Sequence, residues 1–173
     1  NISLESLYAK AAYVSQDTPV FDGTVKENLL FDKEASKEEI QECLENTQLL
    51  SVVATLEKGV ETRIGEKGTR LSGGEKQRLA LARLWLDNPA IAVLDEATSA
   101  LDNVTESIVM ENVLARLKQA TVIAVAHRLA SIRGFDRIIV FRNGKVVGDG
   151  NFEELMESNG YFMELCRKEK EDT

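Results

Sequence analysis

The chain has 173 residues, 43% of them hydrophobic and 29% charged, enough for one globular domain with a real core and too few for a second full domain. Its net charge of -8 and pI near 4.8 exclude a broad nucleic-acid-binding surface, which needs a basic face, so no nucleic-acid partner is expected. Cys43 and Cys166 show neither metal-ligand spacing nor a disulfide framework, which fits packing thiols in a reducing compartment. The purely apolar runs at 122–126 and 138–141 are far too short to span a bilayer, and a chain soluble by itself is expected. Asn1 to Glu5 lack the basic end and apolar core of a signal peptide, and a start at Asn1 instead of methionine is expected of a processed, trimmed or truncated chain.

Along the chain, β-compatible runs at 12–15, 91–94 and 121–126 alternate with helical patterns, which predicts an α/β domain with a largely parallel sheet. Between the first two runs, Ser36-Lys37-Glu38-Glu39 is a capping box and 48–56 has the pattern of a further helix. Residues 36–88 are therefore read as an inserted helical subdomain, with 1–35 and 89–173 as parts of the core. Within the insert stands the octet Leu71-Ser72-Gly73-Gly74-Glu75-Lys76-Gln77-Arg78. Ser72 is placed to cap a helix running to about Asp87, and Glu75 completes a capping box. Gly73 and Gly74 carry no side chain that would keep a ligand from the backbone, so bare N–H groups and the helix dipole favour a phosphate there. Taken alone, the octet reads better as an ordinary glycine-flanked helix start than as a phosphate site.

Asn88-Pro89 ends that helix before the most apolar strand. After Asp102, the stretch 104–117 places Ile108, Val109, Val113 and Leu117 at helical spacing for packing on the sheet. Runs at 137–141 and 145–148 flank Asn143-Gly144, a two-residue hairpin signal, and two short terminal helices are expected across Asn159-Gly160.

The polar residues decide between these readings. Gln16 follows the first strand, Asp95-Glu96 the second and His127 the third, each at a carboxyl end, where open α/β sheets bind ligands. Asp95 is suited to magnesium beside nucleotide phosphates, and Glu96 to orienting or deprotonating a water. His127, the only histidine, is placed to donate to a terminal phosphate. Gln16 has two readings, strand-end solvation or a contact to magnesium-bound water; Ser99-Ala100-Leu101-Asp102 either caps the following helix or belongs to the site.

On these residues the chain resembles the nucleotide-binding domain of an ATP-binding cassette (ABC) transporter. Five motifs stand in that family's order: Gln16 as Q-loop, Leu71 to Glu75 as signature, 91–96 as Walker B, 99–102 as D-loop and His127 as H-loop. The exporter branch is resembled by Phe21-Asp22-Gly23-Thr24-Val25-Lys26-Glu27-Asn28-Leu29 after the Q-loop and by Glu61-Thr62-Arg63-Ile64-Gly65-Glu66-Lys67-Gly68, similar to the X-loop, before the signature.

The resemblance implies a P-loop NTPase (RecA-like) core with an inserted α-helical subdomain, ATP and Mg2+ as ligands, and a place on the cytoplasmic face of a membrane as part of an exporter. It implies two partners: a transmembrane domain, and a second nucleotide-binding domain in a head-to-tail homo- or heterodimer. Glu96 and His127 become catalytic, Asp95 and Gln16 serve magnesium directly or through water, and Asp102 belongs to the D-loop. Ser72, Gly73, Gly74 and Glu75 would meet ATP in trans.

One motif departs from the pattern. The only Gly-Lys pair is Gly144-Lys145, which Val146 follows, so no G-x-x-x-x-G-K-[ST] occurs in these 173 residues. A P-loop backbone and lysine cradle the β- and γ-phosphates. The expectation is a fragment starting after the P-loop, with exposed apolar sheet faces and without full ATPase activity by itself. The alternative is a non-catalytic interaction or regulatory fragment of an ABC ATPase. A DNA-repair or chromosome-structure ABC ATPase should carry long heptad arms, and the sequence has no such repeat.

Overall fold

Three short strands, β1 (Ala11–Val14), β2 (Ile91–Asp95) and β3 (Thr121–Val125), pair in parallel in the order β1-β2-β3. The computed structural model describes residues 3, 5–6, 10–31, 33–65, 70–126 and 128–171, and the chain divides into two units, Asn1–Val125 and Ala126–Thr173. His127 and Glu66, both singled out from the sequence, lie outside the described residues.

In the first unit, α1 (Val25–Leu30), α2 (Lys37–Asn46), α3 (Leu50–Thr55) and α4 (Gly73–Asp87) separate β1 from β2, and α5 (Asn103–Arg116) connects β2 to β3. Both capping boxes foreseen at Ser36 and Ser72 are formed, because a side-chain oxygen and an N3 glutamate meet the backbone donors that the first turn leaves over. Helix α1 has the same device in Thr24 and Glu27. It lies within the exporter-like stretch and was not foreseen as a helix, since six residues are too few to show a period.

Helix α4 packs against α1, α2, α5 and β1. Leu79, Leu81, Ala82, Leu84 and Trp85 are all buried, and so are Gln77 and Arg83, so the helix is enclosed nearly all round, as a central helix is. Cys43 of α2 packs beside it, its thiol donating to the Ala82 carbonyl at 3.2 Å. Burial pushes that thiol up to about 12, which makes it a packing group and not a nucleophile.

The sheet register puts Ala92 and Leu94 on one face and Val93 and Asp95 on the other. The first face is buried. On the second, Tyr13 is 63% exposed and Ile123 and Val125 each 53%, in line with the exposed apolar face expected from the sequence.

The second unit is built on the hairpin β4 (Ile138–Arg142) and β5 (Lys145–Gly150). Asn143 and Gly144 take φ of 51° and 74°, the left-handed pair that a tight two-residue hairpin turn requires. Ile138 and Val140 on the hairpin bury against Leu155 of α6 (Phe152–Ser158) and Phe162 of α7 (Gly160–Glu171). Phe152 meets Phe162 edge to face, with centroids 5.4 Å apart.

Candidate functional site

Parallel pairing of β1, β2 and β3 brings their carboxyl ends to one edge of the sheet, with Val14 beside Leu94 and Asp95 beside Val125. Gln16 leaves that edge from β1, and Asp95-Glu96 from β2. The placement follows from the topology, because successive parallel strands joined by crossovers must all end on the same side.

Asp95 is not isolated. The Tyr13 hydroxyl donates to Asp95 Oδ2 at 2.9 Å across the exposed sheet face, and this bond raises the phenol's pKa above its usual value. Tyr13 escaped the sequence reading because the two residues are 82 positions apart and only strand register makes them neighbours. Among the described residues no group of three or more His, Cys, Asp or Glu is arranged for a metal. A single carboxylate at a strand end fits a magnesium ion held mostly by phosphates and water, and does not fit a metal caged by protein.

Glu96 follows with φ of 50°, a left-handed conformation that costs a non-glycine residue on the order of 1–3 kcal/mol. Its N–H donates to the Val125 carbonyl at 3.0 Å and its own carbonyl accepts from the Ser99 N–H at 3.2 Å. The chain thus turns sharply at the glutamate and runs into 99–102. Asp102 caps α5: Oδ1 accepts from the N–H groups of Val104 and Thr105, and Oδ2 accepts from the Thr105 hydroxyl. The Thr105 hydroxyl and N–H together hold the carboxyl below its usual pKa. The capping reading of Asp102 is therefore realised, whatever else this exposed carboxylate does.

At the start of α4, Ser72 Oγ accepts from the Glu75 N–H at 3.3 Å, and Glu75 Oε2 accepts from the Ser72 N–H at 2.8 Å. Both side chains serve the cap, but the serine hydroxyl keeps its proton as a donor for an anion. The N–H groups of Gly73 and Gly74 belong to the first turn, which has no carbonyls of its own to bond them. The two glycines differ in what they permit. A Cβ on Gly73 would make an ordinary contact at 3.5 Å to Ala100, whereas one on Gly74 would lie 2.9 Å from the Ala100 carbonyl oxygen and 3.2 Å from Leu101. Gly74 is required by the 99–102 turn beneath it as much as by any ligand, a use that the octet alone could not disclose.

Gln16, Gly73 and Lys76 line one open cleft of about 780 Å³ with Gln77, Ser99, Ala100 and the segment from Asp17 to Phe21. Gln16, Gly73, Ser99 and Ala100 thus meet around a single space, with Lys76 among its walls. His127 cannot be placed in this geometry, being outside the described residues.

Residues 2–99 match the ABC transporter family. The chain belongs to this family. Among its relatives, the ATP-dependent permease MDL1 of Candida albicans is 45% identical over 173 residues, covering 96% of this chain and 25% of the relative. The heterocyst differentiation ATP-binding protein HepA of a Nostoc strain is 41% identical over 158 residues, with 91% and 26% covered. A bacterial Atm1-family ABC exporter solved with ATP bound superposes with a TM-score of 0.88 at 34% identity, covering 96% of this chain and 30% of that one. The chain thus spans about a quarter of the length of the curated relatives it matches. Membership in this ATPase family implies ATP binding, and the proteins named are an ATP-dependent permease, an ATP-binding protein and an ABC exporter. No helix among the described residues is long and apolar enough to cross a membrane.

Proposed function

We propose that this ABC domain hydrolyses ATP at a head-to-tail dimer interface and couples that hydrolysis to export through a transmembrane domain, at the cytoplasmic face of a membrane. The single observation that carries the proposal is the sheet edge at which β1 and β2 end together, from which Gln16 and Asp95-Glu96 both leave. Glu96 orients or deprotonates the attacking water and accepts its proton. Gln16 and Asp95 hold magnesium directly or through water, and the ion, when bound, supplies charge neutralisation at the phosphates. His127 donates to the terminal phosphate. Ser72 and the N–H groups of Gly73 and Gly74 offer donors to the ATP of a second domain, with Glu75 fixing the cap. Residues 36–88 form the helical subdomain that meets the transmembrane partner.

The 173-residue chain contains no P-loop motif, so it offers one half of a shared site and leaves the phosphates without their cradle. Isothermal titration of this chain with MgATP is expected to give no tight, magnesium-dependent binding and no turnover. Tight binding would overturn the dependence on a P-loop. A full-length protein that also neither binds nor hydrolyses ATP would favour a non-catalytic regulatory module.

A further inference from the structure

We infer that Gln77 is a positioning residue that locks the first turns of α4 to the turn carrying Glu96, so that the signature end of the helix and the hydrolytic carboxylate move as one body. Both ends of its amide are engaged, and the residue is only 3% exposed. Gln77 Oε1 accepts from the Ala100 N–H at 2.8 Å. Gln77 Nε2 donates to Ser99 Oγ at 2.9 Å and, more weakly, to the Glu96 carbonyl at 3.4 Å.

These partners all lie in the sharp turn that follows β2. That turn starts in the left-handed conformation of Glu96, which persists only where its surroundings hold it. One turn earlier in α4, Gly74 closes on the Ala100 carbonyl so tightly that a Cβ there would stand 2.9 Å away. The helix is thus keyed to the turn at two successive levels, by shape at Gly74 and by hydrogen bonds at Gln77. A shift at the N-terminus of α4, where a phosphate from the partner domain would dock, is carried to the backbone of Glu96 through one rigid amide. A buried glutamine whose bonds merely fill the interior would lower stability when lost but would leave the hydrolytic step alone.

Resting on the role proposed above for Glu96, the test uses the full-length protein with Gln77→Met, which keeps length and volume and removes every hydrogen bond. Gln77→Glu is a second variant, which keeps an acceptor for Ala100 and places a carboxylate oxygen against the Glu96 carbonyl. Both are expected to lower kcat by about 10- to 100-fold, the cost of a small misplacement at a reacting centre, with KM for ATP changed by less than about twofold. Glu96→Gln is measured in parallel, alone and combined with Gln77→Met, by single-turnover hydrolysis. A brace that acts through Glu96 has nothing left to position in the Glu96→Gln background, so the double variant should match Glu96→Gln within about twofold. Multiplying losses, a KM that rises as kcat falls, or a wild-type kcat in Gln77→Met with Glu96→Gln impaired, would each overturn the brace. Wild-type turnover in Glu96→Gln would overturn the assignment of Glu96 itself.

Discussion

Glu96→Gln in the full-length protein is expected to slow ATP hydrolysis by about 10²- to 10⁴-fold, the range for loss of a positioned general base, while ATP binding is retained. Glutamine has nearly the same shape and cannot take up the proton. Its backbone is held by Val125 and Ser99 and by the Gln77 amide at its carbonyl, contacts that the substitution leaves in place. The lost chemistry corresponds to about 3–5 kcal/mol of transition-state stabilisation. Turnover within about twofold of the parent, at unchanged ATP affinity, would remove Glu96 from the reaction.

The second large effect is expected at Arg83, further along the same helix than Gln77. Its guanidinium is buried and donates to the Asn28 carbonyl at 2.6 Å, the Pro19 carbonyl at 2.7 Å and Asn28 Oδ1 at 3.0 Å. It also stands 4.5 Å from the centroid of the Phe31 ring. Burial pulls its pKa down to about 10, which leaves it charged at neutral pH. Asn28, fully buried, uses its remaining capacity on Phe21 and Thr24, so the segment after the Q-loop folds around this one cation. Arg83→Met fills much of the space but donates nothing, leaving buried acceptors without a partner at about 1–3 kcal/mol each. A destabilisation of about 2–4 kcal/mol follows, a large share of the about 5–15 kcal/mol that holds a domain. Trp85, the single tryptophan and buried on the same helix, reports it as a lower denaturation midpoint at unchanged slope. A shift under about 0.5 kcal/mol, the range of an ordinary surface change, would contradict the clamp.

How far the sequence disclosed this structure depended on the range of each interaction. Ser36 and Ser72 could be read as caps because a capping box is completed within four residues, and Asn143-Gly144 as a hairpin because its turn is local. The three parallel strands were legible as apolar runs punctuated by polar ends, and the order of motifs carried the family. What stayed hidden pairs residues far apart in the chain. Tyr13 reaches Asp95 through strand register, Gln77 reaches Ala100 through packing of α4 on the turn after β2, and Arg83 reaches Asn28 across 55 positions. None of these side chains has a local signature, since a buried Gln or Arg in a helix looks like a solvated one until its neighbours are known. Glu106 is similar: a buried glutamate on α5 that accepts from the Thr98 hydroxyl at 2.7 Å, inside a pattern that read as an amphipathic helix.

The most direct test of a shared hydrolytic site is complementation between two inactive variants, Ser72→Arg and Glu96→Gln, co-expressed with different tags and purified as the mixed pair. In a head-to-tail dimer each site takes Glu96 from one chain and the signature from the other. The mixed pair then holds one intact site and one doubly impaired site, and should recover up to about half of the parental turnover. Turnover of the mixed pair no higher than the average of the two variants alone would place the signature and Glu96 in the same site and contradict the account.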